Sequence, residues 1–489
     1  MIKFIATTVF TFFSIFILHS QSLSAIIVEK TNGNPIPFAA VKIDEYNGVI
    51  SNDEGVFTIN NPNVKSVIIS CLGFQELEIS IENIRKANYK IELEASVNQL
   101  NEIIISNKLP NLDSIIFNIR KNFKHNHDLA NTELEIFSRG TYYFDFENFG
   151  LDVKKAQALP KKSVSELNTA INQLTSNVVS SKSKSFNDFS GNLFITDSIK
   201  TKLIPKQSTV LIDIKNDYSV EKVQEKSQLI FLKALDTNLT YKVRTGIFKV
   251  EDSLSLKSTK AKDKAPIHNV DELKSRVYPL LSNIHNFENT IIGKILDTKF
   301  YDFSIRDVAY TDGSMAYVID FTPRKGKAKY AGTLIVMANN YALKRFDYSF
   351  AEGKRGTKVN LKLIAGVKYV EEGEFGSIHF EKDSNDKYKP FYIQQNKINY
   401  IYVNRSITFI ENSKAKNKFG FEILIEGRTV EKKEMLVTNS QNITHHKFSS
   451  VEEPKNIEYT KLNKYTPSIW ENQQVLEPLE DMKTFVVKE

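Results

Sequence analysis

The spacing of apolar and polar residues changes twice along the chain. From Ser24 to Ser106 it alternates in short runs, "SAIIVEK", "AVKIDEY", "GVISNDEGVFTI", "SVIISCLGF", "YKIELEA" and "LNEIIIS". Gly, Pro and Asn separate these runs, which predicts a small antiparallel β-sandwich of about seven short strands. After Pro110 the period lengthens. Leu112, Ile115, Ile116, Ile119 and Phe123 fall on one helical face, as do Val164, Leu167, Ile171, Leu174 and Val178. Asn111 is placed to cap the first helix, and Ser163 with Glu166 to form a capping box on the second. A third helix is predicted near residues 219–235. From about Thr298 alternation returns in longer runs, including "AYVIDFTP" and "KVNLKLIAGVKYV". Val359, Leu361 and Leu363 point one way and Lys358, Asn360 and Lys362 the other, the signature of a sheet with one wet side.

The class this implies is mainly β with helices (α+β). A sandwich over residues 22–106 is followed by a mixed helical and strand region at 107–297. A large, curved antiparallel sheet is expected at 298–440, with the amphipathic helices covering it, and an extended C-terminal tail at 441–489. Residues 1–21 read differently. Lys3 precedes an uncharged apolar run from Phe4 to Leu18, and small and polar residues follow from His19 to Ser22. At about fifteen residues the run is too short to span a bilayer, so a cleaved signal peptide and an exported protein are expected. No cysteine lies near the cleavage point to accept a lipid.

Composition narrows the picture. Thirty-three Phe and 20 Tyr against one Trp suit strand packing. A net charge of +7 spread over 489 residues is too mild for a dedicated nucleic-acid binder. Two local basic runs, "KSTKAKDK" from Lys257 and "RKGKAKY" from Arg324, read as solvated loops, with phosphate-bearing lipid heads as the other candidate contact. The single cysteine, Cys71, follows Val67 and Ile69 on one strand face and reads as a small buried residue.

Candidate chemistry is sparse. "NDEG" at Asn52 to Gly55 places polar residues side by side, whereas a calcium loop needs oxygen ligands at alternate positions. It reads as a hairpin turn. "HNFE" supplies His285 and Glu288, which with His379 would be the minimum for a zinc hydrolase site. His285 also fits the polar face of an amphipathic helix, and the two-residue match is common by chance. His125 and His127 are two apart and diverge on a helix. His445 and His446 fall in a polar stretch. Neither a Gly-x-Ser-x-Gly elbow nor a phosphate loop occurs. No residue is assigned a catalytic, cofactor-binding or metal-binding role.

Three stretches carry a resemblance: Pro35 to Val41, the hairpin ending Asp53-Glu54-Gly55-Val56-Phe57, and Gly73-Phe74. Together they resemble the carboxypeptidase regulatory-like domain, a transthyretin-like sandwich. That family usually has an acidic residue three before the hairpin glycine, where this chain has Asn52. A signal peptide directly before such a domain resembles exported proteins of Bacteroidota-type bacteria, in which the domain precedes outer-membrane machinery. "YAGTLIVMANNYALKRFDYSF" resembles the hairpin of lipoprotein-carrier half barrels. "LDSIIFNIRKNF", the later sheet and the tail "SIWENQQVLEPLEDM" are similar in order to the soluble portion of exported carboxypeptidase-like regulatory proteins. Many of those continue into a β-barrel, which is not expected in a chain ending at Glu489.

The resemblance implies a non-enzymatic envelope protein, periplasmic or associated with the outer membrane. It would serve as a binding or scaffold module for envelope or outer-membrane proteins, with lipid as a further candidate partner and without nucleic acid or cofactor. A carrier or sensor holding an apolar ligand in the curved sheet is the alternative. A zinc hydrolase centred on His285 and Glu288 is the third reading.

Overall fold

The computed structural model describes residues 22–487, apart from 45–46, 62, 97–110, 158, 197–199, 214–217, 219, 233–234, 237, 246–247, 256–265, 286, 312 and 384. The expected signal peptide, the strand expected at 100–106 and the basic run from Lys257 lie outside the described residues. The chain divides into two compact units. One holds residues 1–97 and 466–479; the other holds 98–465 and 480–489.

The first unit is the expected sandwich. Its strands are β1 (Leu23–Glu29), β2 (Ala40–Lys42), β3 (Gly48–Ile50), β4 (Val56–Ile59), β5 (Ser66–Ser70), β6 (Leu77–Ser80) and β7 (Lys90–Leu93), with helix α1 (Ile81–Lys86) before β7. One sheet runs β4-β1-β7 and the other β3-β2-β5-β6. Period-two alternation builds the core, since Ala25, Ile27, Val41, Phe57, Ile59, Val67, Ile69, Ile91 and Leu93 are all buried. Helix α1 interrupts a stretch that alternates like a strand. Ser80 caps it by accepting from the Asn83 amide, and Ile81 and Ile84 turn inward. Cys71 departs from expectation: it lies just beyond β5 and is only half-buried, because the strand ends at Ser70.

"NDEG" is a turn, and Asn52 makes it. The Asn52 Oδ1 accepts from the Glu54 and Val56 amides, at 2.9 and 3.0 Å. Gly55 takes φ +76°, and a Cβ there would sit 2.8 Å from the Ile27 carbonyl oxygen. An amide side chain supplies the same acceptor as the family's carboxylate, so the substitution at Asn52 keeps the turn.

The second unit is built on one large antiparallel sheet. Its first strands are β8 (Thr132–Ala156), β9 (Lys182–Ile195), β10 (Thr201–Ile212), β11 (Thr240–Thr245), β12 (Phe248–Ser255) and the short β13 (Ile267–Asn269). The next are β14 (Tyr301–Thr311), β15 (Ser314–Pro323), β16 (Tyr330–Met337), β17 (Leu343–Phe350), β18 (Lys358–Leu361) and β19 (Val367–Lys382). The last are β20 (Tyr388–Glu411), β21 (Lys418–Asn442), β22 (Asn456–Glu458) and β23 (Thr460–Leu462). The main path is β14-β15-β16-β17-β19-β20-β21-β8-β9-β10-β23; β11 pairs with β20 and β12, and β18 with β19. β13 and β22 pair apart from it.

This topology corrects the boundary expected at 297/298. β8 pairs along its whole length with β21, so early and late strands share one sheet. Helices α2 (Leu112–Asn126), α3 (Lys161–Ser180), α4 (Val220–Leu232) and α5 (Val270–His285) pack on it, and α6 (Ile291–Ile295) packs against α5. Asn111 caps α2, accepting from the Asp113 amide, and Ile115, Ile116, Ile119 and Phe123 are buried as the spacing predicts. The capping box does not form: α3 starts at Lys161, directly after Pro160, which leaves Ser163 inside the first turn. Leu167, Ile171, Leu174 and Val178 of α3 join Phe144, Phe146, Phe149, Phe409, Phe419 and Phe421 in one core over the far halves of β8, β20 and β21.

Nor is 441–489 an extended tail. It contains α8 (His445–Ser450), once α7 (Lys362–Ala365) is counted earlier in the chain, then β22, β23, a 3-10 turn at Pro467–Trp470 and α9 (Glu480–Lys483). In the second unit Met482 packs with Phe186 and Leu211, and the Tyr143 hydroxyl donates to Asp481 at 2.9 Å.

Candidate functional site

Within the sandwich unit, residues 466–479 ("TPSIWENQQVLEPL") lie on the sandwich and are held by side chains at its turn end. Asn60 follows β4 and is buried. Its Nδ2 donates to the carbonyls of Gln473 at 2.9 Å and Trp470 at 3.4 Å, the latter accepting as well from the Gln473 amide at 3.1 Å. The Gln474 Oε1 accepts from the Asn60 amide at 3.5 Å, and the Asn52 Nδ2 donates to the Pro478 carbonyl at 3.3 Å. The turn is not the expected hairpin, since it carries the chain from β3 in one sheet to β4 in the other, and Asn52 both closes it and grips the segment. Three apolar anchors, Trp470, Val475 and Leu476, are only 1%, 2% and 4% exposed. Backbone carbonyls read by amide side chains, with apolar anchors between them, are the elements of a peptide-segment site. The one signal in the sequence was the lone tryptophan.

The large sheet carries a second polar constellation. Following the register, Thr209, Asp188, Arg139, Glu434, Gln394, Ser377, Asp347, Thr333, Asp320 and Ser304 stand side by side on neighbouring strands from β10 to β14. Cross-strand neighbours share a face, so this is one continuous polar row. Each carboxylate in it has a cation. Asp188 meets Arg139 at 2.7 Å, Glu434 meets Lys432 at 3.1 Å, Asp347 meets Arg345 at 2.8 Å and Asp320 meets Arg306 at 3.4 Å. Hydroxyls complete the set, with Tyr392 donating to Glu434 at 2.8 Å, Ser377 to Asp347 and Thr333 to Asp320. Burial pushes the Asp188 carboxyl up while Arg139 pulls it back; the guanidinium stays charged. A row whose acids are all paired fixes register and leaves no spare acid or base.

The histidines are placed apart. His127 ends α2 and is buried. Its Nδ1–H donates to the Tyr388 carbonyl at 3.2 Å, and its Nε2 accepts from the Leu343 amide at 3.1 Å, so both partners specify one neutral tautomer. Burial drives its pKa down to about 3, with the Lys389 charge adding to the effect. His125 is exposed beside Lys387. Of the zinc candidates, Glu288 pairs with Arg120 at 2.8 Å, and the side chain of His285 lies outside the described residues. His379 stands on β19, its pKa lowered by burial and by the cations Arg345 and Lys344, which also oppose a metal ion. Among the described residues no three His, Cys, Asp or Glu side chains converge on a metal site. His445 and His446 are exposed on α8.

Residues 25–105 match the sequence profile of the CarboxypepD_reg-like domain, the family whose motifs Asn52 to Phe57 and Gly73-Phe74 carry. No curated protein matches the chain. Among solved structures, the chain is similar to a DUF1329 family protein from Desulfovibrio piger at 10% identity. That match covers 66% of this chain and 91% of the other, with a TM-score of 0.17. It is similar as well to a putative outer membrane lipoprotein-sorting protein domain from Vibrio parahaemolyticus, at 8% identity, 68% and 94% coverage and a TM-score of 0.19. The outer membrane protein OprG from Pseudomonas aeruginosa matches at 7% identity over 64% and 97%, with a TM-score of 0.14. Scores this low do not establish a shared fold. Among the described residues no helix is long and apolar enough to cross a membrane, which says nothing of β-barrels.

Proposed function

We propose that this chain is an exported, non-enzymatic component of the bacterial cell envelope that works by binding, with its sandwich as a module for holding peptide segments. The observation that carries the reading is the grip of Asn60 and Asn52 on residues 466–479, with Trp470 buried at 1% exposure. The signal-like start of the chain and the regulatory-like domain support export and an accessory role. The apolar stripe of α3, including Ile171 and Leu174, is used in packing, which favours a scaffold over a carrier of apolar ligands.

Trp470 is the sole tryptophan, so Trp470→Ala gives a tryptophan-free chain with its anchor removed. A synthetic peptide of residues 466–479 added to that full-length variant should bind saturably, with a blue shift of the peptide's own fluorescence. Fluorescence unchanged up to millimolar peptide makes the segment a structural fixture and ends the binding-module reading. Stoichiometric zinc in the purified protein, with peptidase turnover abolished by Glu288→Gln, overturns its non-enzymatic part.

A further inference from the structure

The stretch from Lys358 to Leu363 alternates like a half-buried strand, yet its apolar face has no cover. Val359 is 39% and Leu361 45% exposed on β18, which pairs only with β19 in the described sheet. The chain then turns through α7, where Leu363 and Ile364 stand 102% and 78% exposed at the tip. Two branched aliphatic side chains fully in water at a projecting turn mark a contact surface.

The root of this tip is fixed. Gly366 ends α7 with φ +64°, and a Cβ there would fall 1.8 Å from the Asn404 carbonyl oxygen, so the turn lies directly against β20. The Asn404 amide donates back to the Gly366 carbonyl at 2.7 Å. Lys362 Nζ sits 3.9 Å from the Tyr402 ring centroid, and Lys368 Nζ 4.8 Å from that of Tyr400. Along the segment itself charge follows one sign, and on the neighbouring strands Glu371, which accepts from the Thr357 amide, and Glu426, which faces Lys362 and Lys368, offset part of it. From Lys354 to Lys368 the chain carries Lys354, Arg355, Lys358, Lys362 and Lys368 and no acidic residue. An apolar point collared by cations is complementary to a bilayer whose headgroups are anionic: the aliphatic groups enter the acyl boundary and the lysines remain at the phosphates.

We infer that the β18–α7 tip docks this protein on an anionic lipid surface, with Leu363 and Ile364 as the inserting side chains and the surrounding lysines reading the headgroup charge. The inference is independent of the sandwich site.

The test is co-sedimentation of the full chain with vesicles of phosphatidylglycerol and phosphatidylcholine, against phosphatidylcholine alone. Both inserting positions are exposed, so Leu363→Asp/Ile364→Asp should keep the parent circular dichroism spectrum and melting curve. The parent should bind the anionic vesicles at least about tenfold more tightly than the neutral ones, the variant should lose about tenfold, and ~0.5 M salt should weaken the parent's binding. Failure of the parent to prefer anionic vesicles overturns the inference, as does equal binding by the variant. Self-association of the parent without lipid, abolished in the variant, assigns the tip instead to a second copy of the chain.

Discussion

The sandwich and the large sheet solve the problem of strand register in opposite ways. In the sandwich, the strands are three to seven residues long and local turns align neighbours, as the turn at Cys71–Phe74, with Gly73 at φ +85°, does for the paired strands β5 and β6. In the large sheet, β8 and β21 run for 25 residues each and pair across some 300 positions of sequence, where no turn can align them. A polar row does so instead. If β8 slips by one residue against β9, Arg139 leaves Asp188 and two charges are stranded in the interior. Turns are a local device, and a buried ion pair is a device for partners far apart in the chain.

The contrast is broken most severely at Asp188. Asp188→Ala leaves Arg139 buried without its carboxylate and should cost about 3–5 kcal/mol, as removal of one partner of a buried pair does. Replacing both by apolar residues of similar volume should recover much of that loss. Denaturant unfolding measures both; a single variant within about 1 kcal/mol of the parent would show that the pair sets nothing.

His127 sharpens the same point through pH. Its folded pKa lies at about 3, below the ordinary value of 6.5, because burial disfavours the charged ring. The unfolded chain therefore binds the extra proton between those values, so this contribution is intact above ~6.5 and is lost as pH falls toward ~3. At pH ~5 the group should cost about 2 kcal/mol relative to pH ~7. His127→Gln should be less stable at neutral pH but lack that part of the slope; an unchanged slope assigns it to other groups.

The smallest effect belongs to the sandwich. Asn52→Ala removes the acceptor for two turn amides and should cost about 1 kcal/mol, whereas Asn52→Asp restores the acceptor and should be near neutral toward the turn. Thermal unfolding of the full chain followed through Trp470 reports on this unit alone. A transition unmoved in Asn52→Ala would mean that Gly55 suffices to form the turn.

What could be read from the sequence follows the same division. The sandwich was legible because Asn, Gly and Pro mark its turns and its alternation is short-range. The stripes of α2 and α3 were legible for the same reason. The pairing of β8 with β21 was not, because nothing local marks the polar Arg139, Asp188, Glu434 and Gln394 as buried, and only their partners on distant strands make them interior. At β18 the error ran the other way: perfect alternation predicted a buried side, and the structure leaves Val359 and Leu361 exposed. The grip on residues 466–479 had no local signature beyond the lone Trp470, since Asn60 and Asn52 look like ordinary turn residues until the segment arrives.

That arrival has a clock. Asn60 and the Trp470 carbonyl it holds are 410 residues apart. At ~5–20 residues per second, synthesis separates them by roughly 20–80 s, far longer than a small β-domain takes to fold. For that interval the sandwich exists without residues 466–479, and the side chains that will hold them are open to whatever chaperone or neighbouring chain is near. Completion of this domain thus waits on a stretch 410 residues further along the chain, so a product cut short before it is left with the domain unsealed.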